Sequence, residues 1–226
     1  MTEARRPHVI AFDVMETLFP LQPLEWRFRE AGIPRVLMYR WFAHVLRDAF
    51  ALTAADGYRP FGDLARGALL DITGYQISAG AVESIVQALA SLDVRPDADA
   101  AMRLARDSGA RVVVLTNASE ETGRSLLDRA GLTAYVEQVF SAAATRRFKP
   151  APDLYHHAAA GCDVDPARLA LVTAHAWDAH GAKRAGLTTG WSDHFEGRFP
   201  SVFDEPDATG QGLESVVGRL LELPEE

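Results

Sequence analysis

The chain has 226 residues, 48% hydrophobic and 24% charged, a balance that fits a globular enzyme with one sizeable α/β core and space for a smaller insert. A net charge of −8 without any extended basic run argues against nucleic acid as a partner. No apolar run approaches the roughly 20 residues of a membrane span, the stretch from Met1 to His8 leads into a strand without the apolar segment of a signal peptide, and Cys162, the single cysteine, suits a reducing cytoplasm.

The first apolar run, Val9 to Phe12, ends in Asp13 and reads as a buried parallel strand. Residues 20–92 show no strand pattern; Trp26, Phe28, Trp41, Phe42, Leu46 and Phe50 recur at helical spacing, with breaks at 32–34 and 56–60. Two further apolar runs follow, 111–115 ending in Thr116 and Asn117, and 169–172 ending in Thr173; 136–140 and 188–191 are shorter candidates. Helices are expected at 98–108, 120–130, 152–160 and 178–185, stopped by Gly109, Gly131, Gly161 and Gly186, with a final helix at 213–223. Alternating strand and helix implies a doubly wound parallel sheet. The expected division is an α/β core of residues 1–19 and 93–226, with 20–92 as a helical insert.

Open parallel sheets place their sites outside the carboxyl ends of the strands. Asp13, Thr116, Asn117 and Thr173 fall at such ends, Lys149 follows the 136–140 strand, and Asp178 opens the helix after Thr173. Singly, each has a structural explanation: a turn former, a helix cap, a loop lysine or a surface acid. Together they supply a carboxylate nucleophile, a lysine, hydroxyl and amide donors and a second carboxylate, enough for covalent catalysis followed by hydrolysis.

The order of these residues resembles the haloacid dehalogenase superfamily, whose fold is a Rossmann-like core with a helical cap after the first strand. The likeness rests on Phe12-Asp13-Val14-Met15-Glu16-Thr17, Leu115-Thr116-Asn117-Ala118-Ser119, Phe148-Lys149-Pro150 followed by Tyr155, and Val172-Thr173-Ala174-His175-Ala176-Trp177-Asp178 with Gly181-Ala182. Phosphatase members resemble Asp-x-Asp at the first motif and carry a magnesium-binding acid in the fourth; Met15 and Thr173 stand at those positions here. A carboxylate facing a phosphate dianion at about 4 Å meets roughly 8 kcal/mol of repulsion at an effective dielectric near 20. The missing acids therefore favour displacement at carbon, and Trp177-Asp178 with Gly181-Ala182-Lys183 looks like the (S)-2-haloacid dehalogenase branch.

The resemblance implies a metal-independent hydrolase without a cofactor, acting on small 2-haloacids, cytoplasmic and compatible with a homodimer. It implies that Asp13 attacks C2 of the substrate, that Thr17 orients it, and that Lys149, supported by Tyr155, balances its charge. Thr116 and Asn117 would receive the substrate carboxylate, Thr173 would assist, and Asp178 would position or activate water. Arg47, with Arg40 as runner-up, is the candidate to receive the departing halide, and Trp177, Trp41, Phe42 and Phe61 are candidates for an apolar wall. Met15, Glu16 and His175 depart from the branch pattern, and His175 replaces an asparagine, so it can change the hydrolytic water or the substrate. Two alternatives stand beside this reading: a magnesium-dependent phosphatase using Asp13, and a non-catalytic binding protein on the same fold.

Overall fold

The computed structural model describes residues 4–225; Met1 to Glu3, the head of the N-terminal stretch considered above, and Glu226 lie outside the described residues. The core alternates as expected. Its strands are β1 (Val9–Phe12), β2 (Arg111–Thr116), β3 (Val136–Ser141), β4 (Leu169–Thr173), β5 (Thr188–Ser192) and β6 (Ala208–Gly210). They form one parallel sheet in the order β3-β2-β1-β4-β5-β6. The helices are α1 (Glu25–Glu30), α2 (Leu37–Ala54), α3 (Phe61–Ile72), α4 (Ala79–Ala88), α5 (Ala98–Asp107), α6 (Glu120–Arg129), α7 (Ala142–Thr145), α8 (Pro152–Gly161), α9 (Ala176–Arg184) and α10 (Leu213–Leu221).

β1 is central, pairing Phe12 with Val114 of β2 on one side and with Val172 of β4 on the other. Every residue of β1 and β4 is buried, which explains the unbroken apolar runs: a strand covered on both faces has no polar side. The shared register brings the ends of β1, β2 and β4 level, and the Asp13 N–H extends the ladder by donating to the Val172 carbonyl at 3.0 Å.

Gly109, Gly131 and Gly186 take left-handed φ values just past their helices, as expected. Gly161 does not. It lies within α8, and the left-handed residue beyond the helix is Asp163 at φ 54°. A Cβ on Gly161 would meet Phe140 Cε1 at 2.6 Å, so the glycine serves close packing of α8 on β3 rather than chain reversal. The sequence pattern also missed β6 and α7, which are too short to show a period, and α9 begins at Ala176, two residues earlier than expected.

Between β1 and α5 lie α1 to α4. The buried residues of α2 (Met38, Trp41, Phe42, Val45, Ala49 and Thr53) form one apolar stripe at helical spacing. Trp41 is fully buried against α3 and donates its indole N–H to the Ala65 carbonyl at 2.8 Å, which makes it a packing residue rather than a pocket wall. The two strands of chain that join these helices to the core meet where Arg95 N–H donates to the Leu18 carbonyl at 2.9 Å. Among the described residues no helix is long and apolar enough to cross a membrane.

Candidate active site

The turn after β1, the turns after β2 and β3, and the start of α9 bring Asp13, Lys149 and Asp178 together. Lys149 and Asp178 are completely buried and Asp13 is 5% exposed. The Lys149 ammonium donates to Asp13 Oδ1 at 2.7 Å, to Asp178 Oδ2 at 2.6 Å and to the Leu115 carbonyl at 3.2 Å, using all three of its hydrogens. Thr17 donates its hydroxyl to Asp13 Oδ2 at 2.6 Å and accepts the Ala174 N–H at 2.9 Å, tying the β1 turn to the β4 turn. Tyr155, on α8, donates to Asp178 Oδ1 at 2.6 Å. Each charge therefore has its partners, the condition under which buried ionic groups are tolerated.

The surroundings split the two carboxylates. Burial pushes Asp13 up, but the Lys149 ammonium, His175 and the hydrogen bonds from Lys149 and Thr17 outweigh it and hold the carboxyl below the ordinary range. For Asp178, burial together with the Asp13 charge prevails over Lys149 and Tyr155 and raises the carboxyl. Burial works against the Lys149 charge, and the two carboxylates more than restore it. Burial and the Asp178 carboxylate raise the Tyr155 phenol well above its usual value, keeping it a donor. The result is one carboxylate held ionised and a second one readier to take a proton, a division of labour suited to nucleophile and base.

Other expected site residues are placed differently. The Thr116 hydroxyl oxygen accepts the Ala118 N–H at 3.0 Å, and the Thr173 hydroxyl oxygen accepts the His175 N–H at 3.1 Å. Both brace their own turns while each keeps a hydroxyl hydrogen to donate. The Asn117 Oδ1 accepts the Lys149 N–H at 2.9 Å, so its amide holds the lysine loop. Arg47 is not brought to the site: its side chain is 56% exposed and paired with Asp48 at 2.8 Å. Arg40 is also exposed, on the side of α2 away from its apolar stripe. Glu16 is buried at φ 61° with Oε1 unpartnered, and burial raises it to about 7 against the Leu21 N–H and Arg95.

Aromatic rings close the site. His175 stacks on Trp177 with centroids 5.2 Å apart, meets Phe195 edge-on at 5.3 Å and lies 6.4 Å from Phe42 of α2. Trp177 in turn meets Phe50 of α2 at 5.1 Å. Beside Met15 a cleft of about 760 Å³ opens between Phe61 and Tyr58 on the helical insert and Ala118 and Ser119 on the core. Behind the site, Gly181 lets α9 pack against the lysine loop and α8: a Cβ there would lie 2.9 Å from both the Pro150 carbonyl and the Tyr155 hydroxyl. Phe195 and Glu196, which approach from the turn after β5, belong to no motif and carried no signal in the sequence.

The parallel sheet thus carries a carboxylate, Asp13, at the tip of its central strand, with a lysine and a second acid beside it. Residues 8–186 match the family described as haloacid dehalogenase-like hydrolase, and the chain belongs to that family. Haloacetate dehalogenase H-2 of Moraxella sp. (strain B) is 26% identical over 122 residues, and the match spans only about half of either protein, 54% of each. The (S)-2-haloacid dehalogenase of Pseudomonas sp. (strain YL) is 24% identical over 213 residues, 92% of each chain. The fold is shared with the L-2-haloacid dehalogenase of Xanthobacter autotrophicus, solved with chloropropionic acid covalently bound. That likeness has a TM-score of 0.85 at 22% identity and covers 94% of this chain and 97% of the other.

Proposed function

We propose that the chain is a hydrolase that removes halide from small 2-haloacids without a metal, giving 2-hydroxy acids through an ester on Asp13. One observation carries the reading: an ammonium, Lys149 Nζ, bridges the carboxylates of Asp13 and Asp178, and among the described residues no third acid, histidine or cysteine joins them in a group that could hold a metal ion. Magnesium takes near-octahedral oxygen ligands at about 2.0 to 2.1 Å, and Met15 and Thr173 offer no further carboxylate. Two acids already bridged by an ammonium make a poor donor set for that ion. With two carboxylates and one ammonium already present, a phosphate dianion is a poor guest, whereas a 2-haloacid adds a single negative charge.

In the first step an Asp13 oxygen attacks C2 from the side opposite the halogen. The carbon–halogen bond breaks, halide leaves with its electron pair, and the carbon is inverted. In the second, water adds to the Asp13 ester carbonyl carbon while Asp178 takes its proton. The bond from that carbon to the substrate oxygen breaks, the alkoxide is protonated to the 2-hydroxy acid, and Asp13 returns as carboxylate, with the remaining proton released to water. Thr17 fixes the Asp13 oxygens, Lys149 offsets their charge, and Tyr155 acts through Asp178. The Thr116 hydroxyl receives the substrate carboxylate, with Asn117 and Thr173 stiffening the turns around it. Residues 20–92 act as the cap, contributing Phe42 and Phe50 to the apolar enclosure.

The test is a screen of 2-haloacids beside phosphate esters in metal-free buffer with chelator, assaying halide and phosphate together. Halide release with both (S)-2-chloropropionate and chelator present is expected. Phosphate release that vanishes with chelator, and no halide, would refute the reading.

A further inference from the structure

Lys149 lies on the loop between α7 and α8, which is part of the core, yet the three residues before it each turn to the helical insert. The Arg146 guanidinium lies 5.1 Å from the centre of the Tyr58 ring. Arg147 pairs with Asp56. The Phe148 ring stacks on Tyr58 with centroids 5.2 Å apart and lies 6.5 Å from that of Phe61. Deepest is a contact to the backbone: the Phe148 N–H donates to Thr53 Oγ1, in the last turn of α2, at 3.1 Å.

Thr53 and Phe148 are buried, whereas the Asp56 side chain is 89% exposed. Water can therefore take over the charged contact but has no access to the hydrogen bond, and a buried N–H left without an acceptor is strongly disfavoured. A threonine in a helix ordinarily turns its hydroxyl to the carbonyl one turn back; the Thr53 oxygen takes up a donor 95 residues further along the chain. The next N–H is held by the core, since Lys149 donates its own to Asn117 Oδ1 at 2.9 Å. Two successive backbone groups are thus fixed, one by the insert and one by the core.

The lysine side chain is a flexible four-carbon stem, so its tip follows the anchorage of its backbone. That tip reaches Asp13 at 2.7 Å and Asp178 at 2.6 Å. Such bonds hold over a span of only about 0.5 Å, and a shift of the loop by more than that would part the ammonium from one carboxylate.

We propose that Thr53 is a positioning residue for Lys149: its hydroxyl oxygen sets the backbone from which the ammonium reaches both carboxylates, so the site is complete only while the insert is seated on this loop. On the dehalogenase reading, on which the kinetic part rests, the insert then governs the charge balance at Asp13 as well as the apolar enclosure.

Two measurements test this separately. The first needs no turnover. The chain has two lysines, Lys149 and Lys183, so protein labelled with nitrogen-15 at lysine and carrying Lys183→Arg gives a single ammonium signal by NMR. In that background the Lys149 hydrogens are expected to exchange slowly with water. Thr53→Val and Thr53→Ala, which lack the acceptor, should speed the exchange about tenfold or more, while Thr53→Ser, which keeps the oxygen, should stay within about twofold. Ile85→Val, in α4, loosens the insert away from the loop and is expected to change nothing. Fast exchange in the background protein, no acceleration in the valine and alanine variants, or the same acceleration in Ile85→Val would overturn the proposal. The second measurement is single-turnover bromide release from (S)-2-bromopropionate. Its rate at saturation is expected to fall about tenfold or more in Thr53→Val, with the half-saturating concentration within about twofold, and to be restored in Thr53→Ser. An unchanged rate would overturn the kinetic role. No bromide from the unaltered protein would instead overturn the dehalogenase reading and leave the exchange measurement to decide how Lys149 is held.

Discussion

Two regions of the molecule hold ion pairs of similar length under opposite conditions. At the carboxyl edge of the sheet, Lys149 sits 2.7 and 2.6 Å from Asp13 and Asp178 with every partner buried. On the helical insert, Arg66 reaches Glu83 at 3.0 Å and Arg47 reaches Asp48 at 2.8 Å, each with an arginine side chain at least 41% exposed. Distance does not separate them; solvent does. Water and salt screen the insert pairs and provide alternative partners when one member is lost. The core cluster has no such substitute, so its charges are committed to one another and to whatever anion enters.

The sharpest way to probe the contrast is to remove one charge from the core. Asp13→Asn is expected to abolish halide release by several orders of magnitude, because an amide is a poor nucleophile; retained release under conditions that exclude deamidation would break the assignment. Lys149→Ala leaves two buried carboxylates facing an empty space. It should lose about 3 to 5 kcal/mol in urea unfolding, and the protein that remains folded should turn over orders of magnitude more slowly. A loss below about 1 kcal/mol would mean the cluster behaves like a surface pair.

Glu16 sits between the extremes, with burial raising it from 4.5 to about 7. A raised carboxyl stabilises the fold fully below its unfolded value, and that contribution is lost as pH rises from 4.5 through about 7. Glu16→Gln stays neutral, so it should match the parent near pH 4 and exceed its stability by up to ~3 kcal/mol above about pH 8. Equal stabilities across that range, read by urea unfolding, would show the carboxyl to be solvated. The smallest effect belongs to the insert: Arg66→Ala should cost no more than about 1 kcal/mol, and Arg47→Ala should leave halide release unchanged. A large loss of release in Arg47→Ala would return that residue to the site.

Much of this was legible in the sequence, and for stated reasons. The apolar runs of β1, β2 and β4 declare strands buried on both faces, and the polar residue closing each run marks the site because parallel strands end together. Lys149 and Asp178 were found by order along the chain. Arg47 was misplaced although the needed signal was present: the apolar stripe of Met38, Trp41, Phe42, Val45 and Ala49 puts positions 40 and 47 on the far side of α2. Glu196 had no signal, since it reaches α9 only through the path of the turn after β5. Gly161 misled because a glycine near a helix end usually reverses the chain, whereas here the ring of Phe140 requires the missing side chain.

The bare backbone at Gly181 has a practical consequence for anyone stabilising this protein. Replacing a helical glycine with alanine ordinarily gains about 0.4 to 1 kcal/mol by restricting the unfolded chain, and Gly218, in α10, has open space around its Cβ position. At Gly181 the same methyl would wedge α9 away from Pro150 and Tyr155, prising apart the scaffold that clamps the lysine. A thermostability campaign should therefore accept the first substitution and leave the second position untouched.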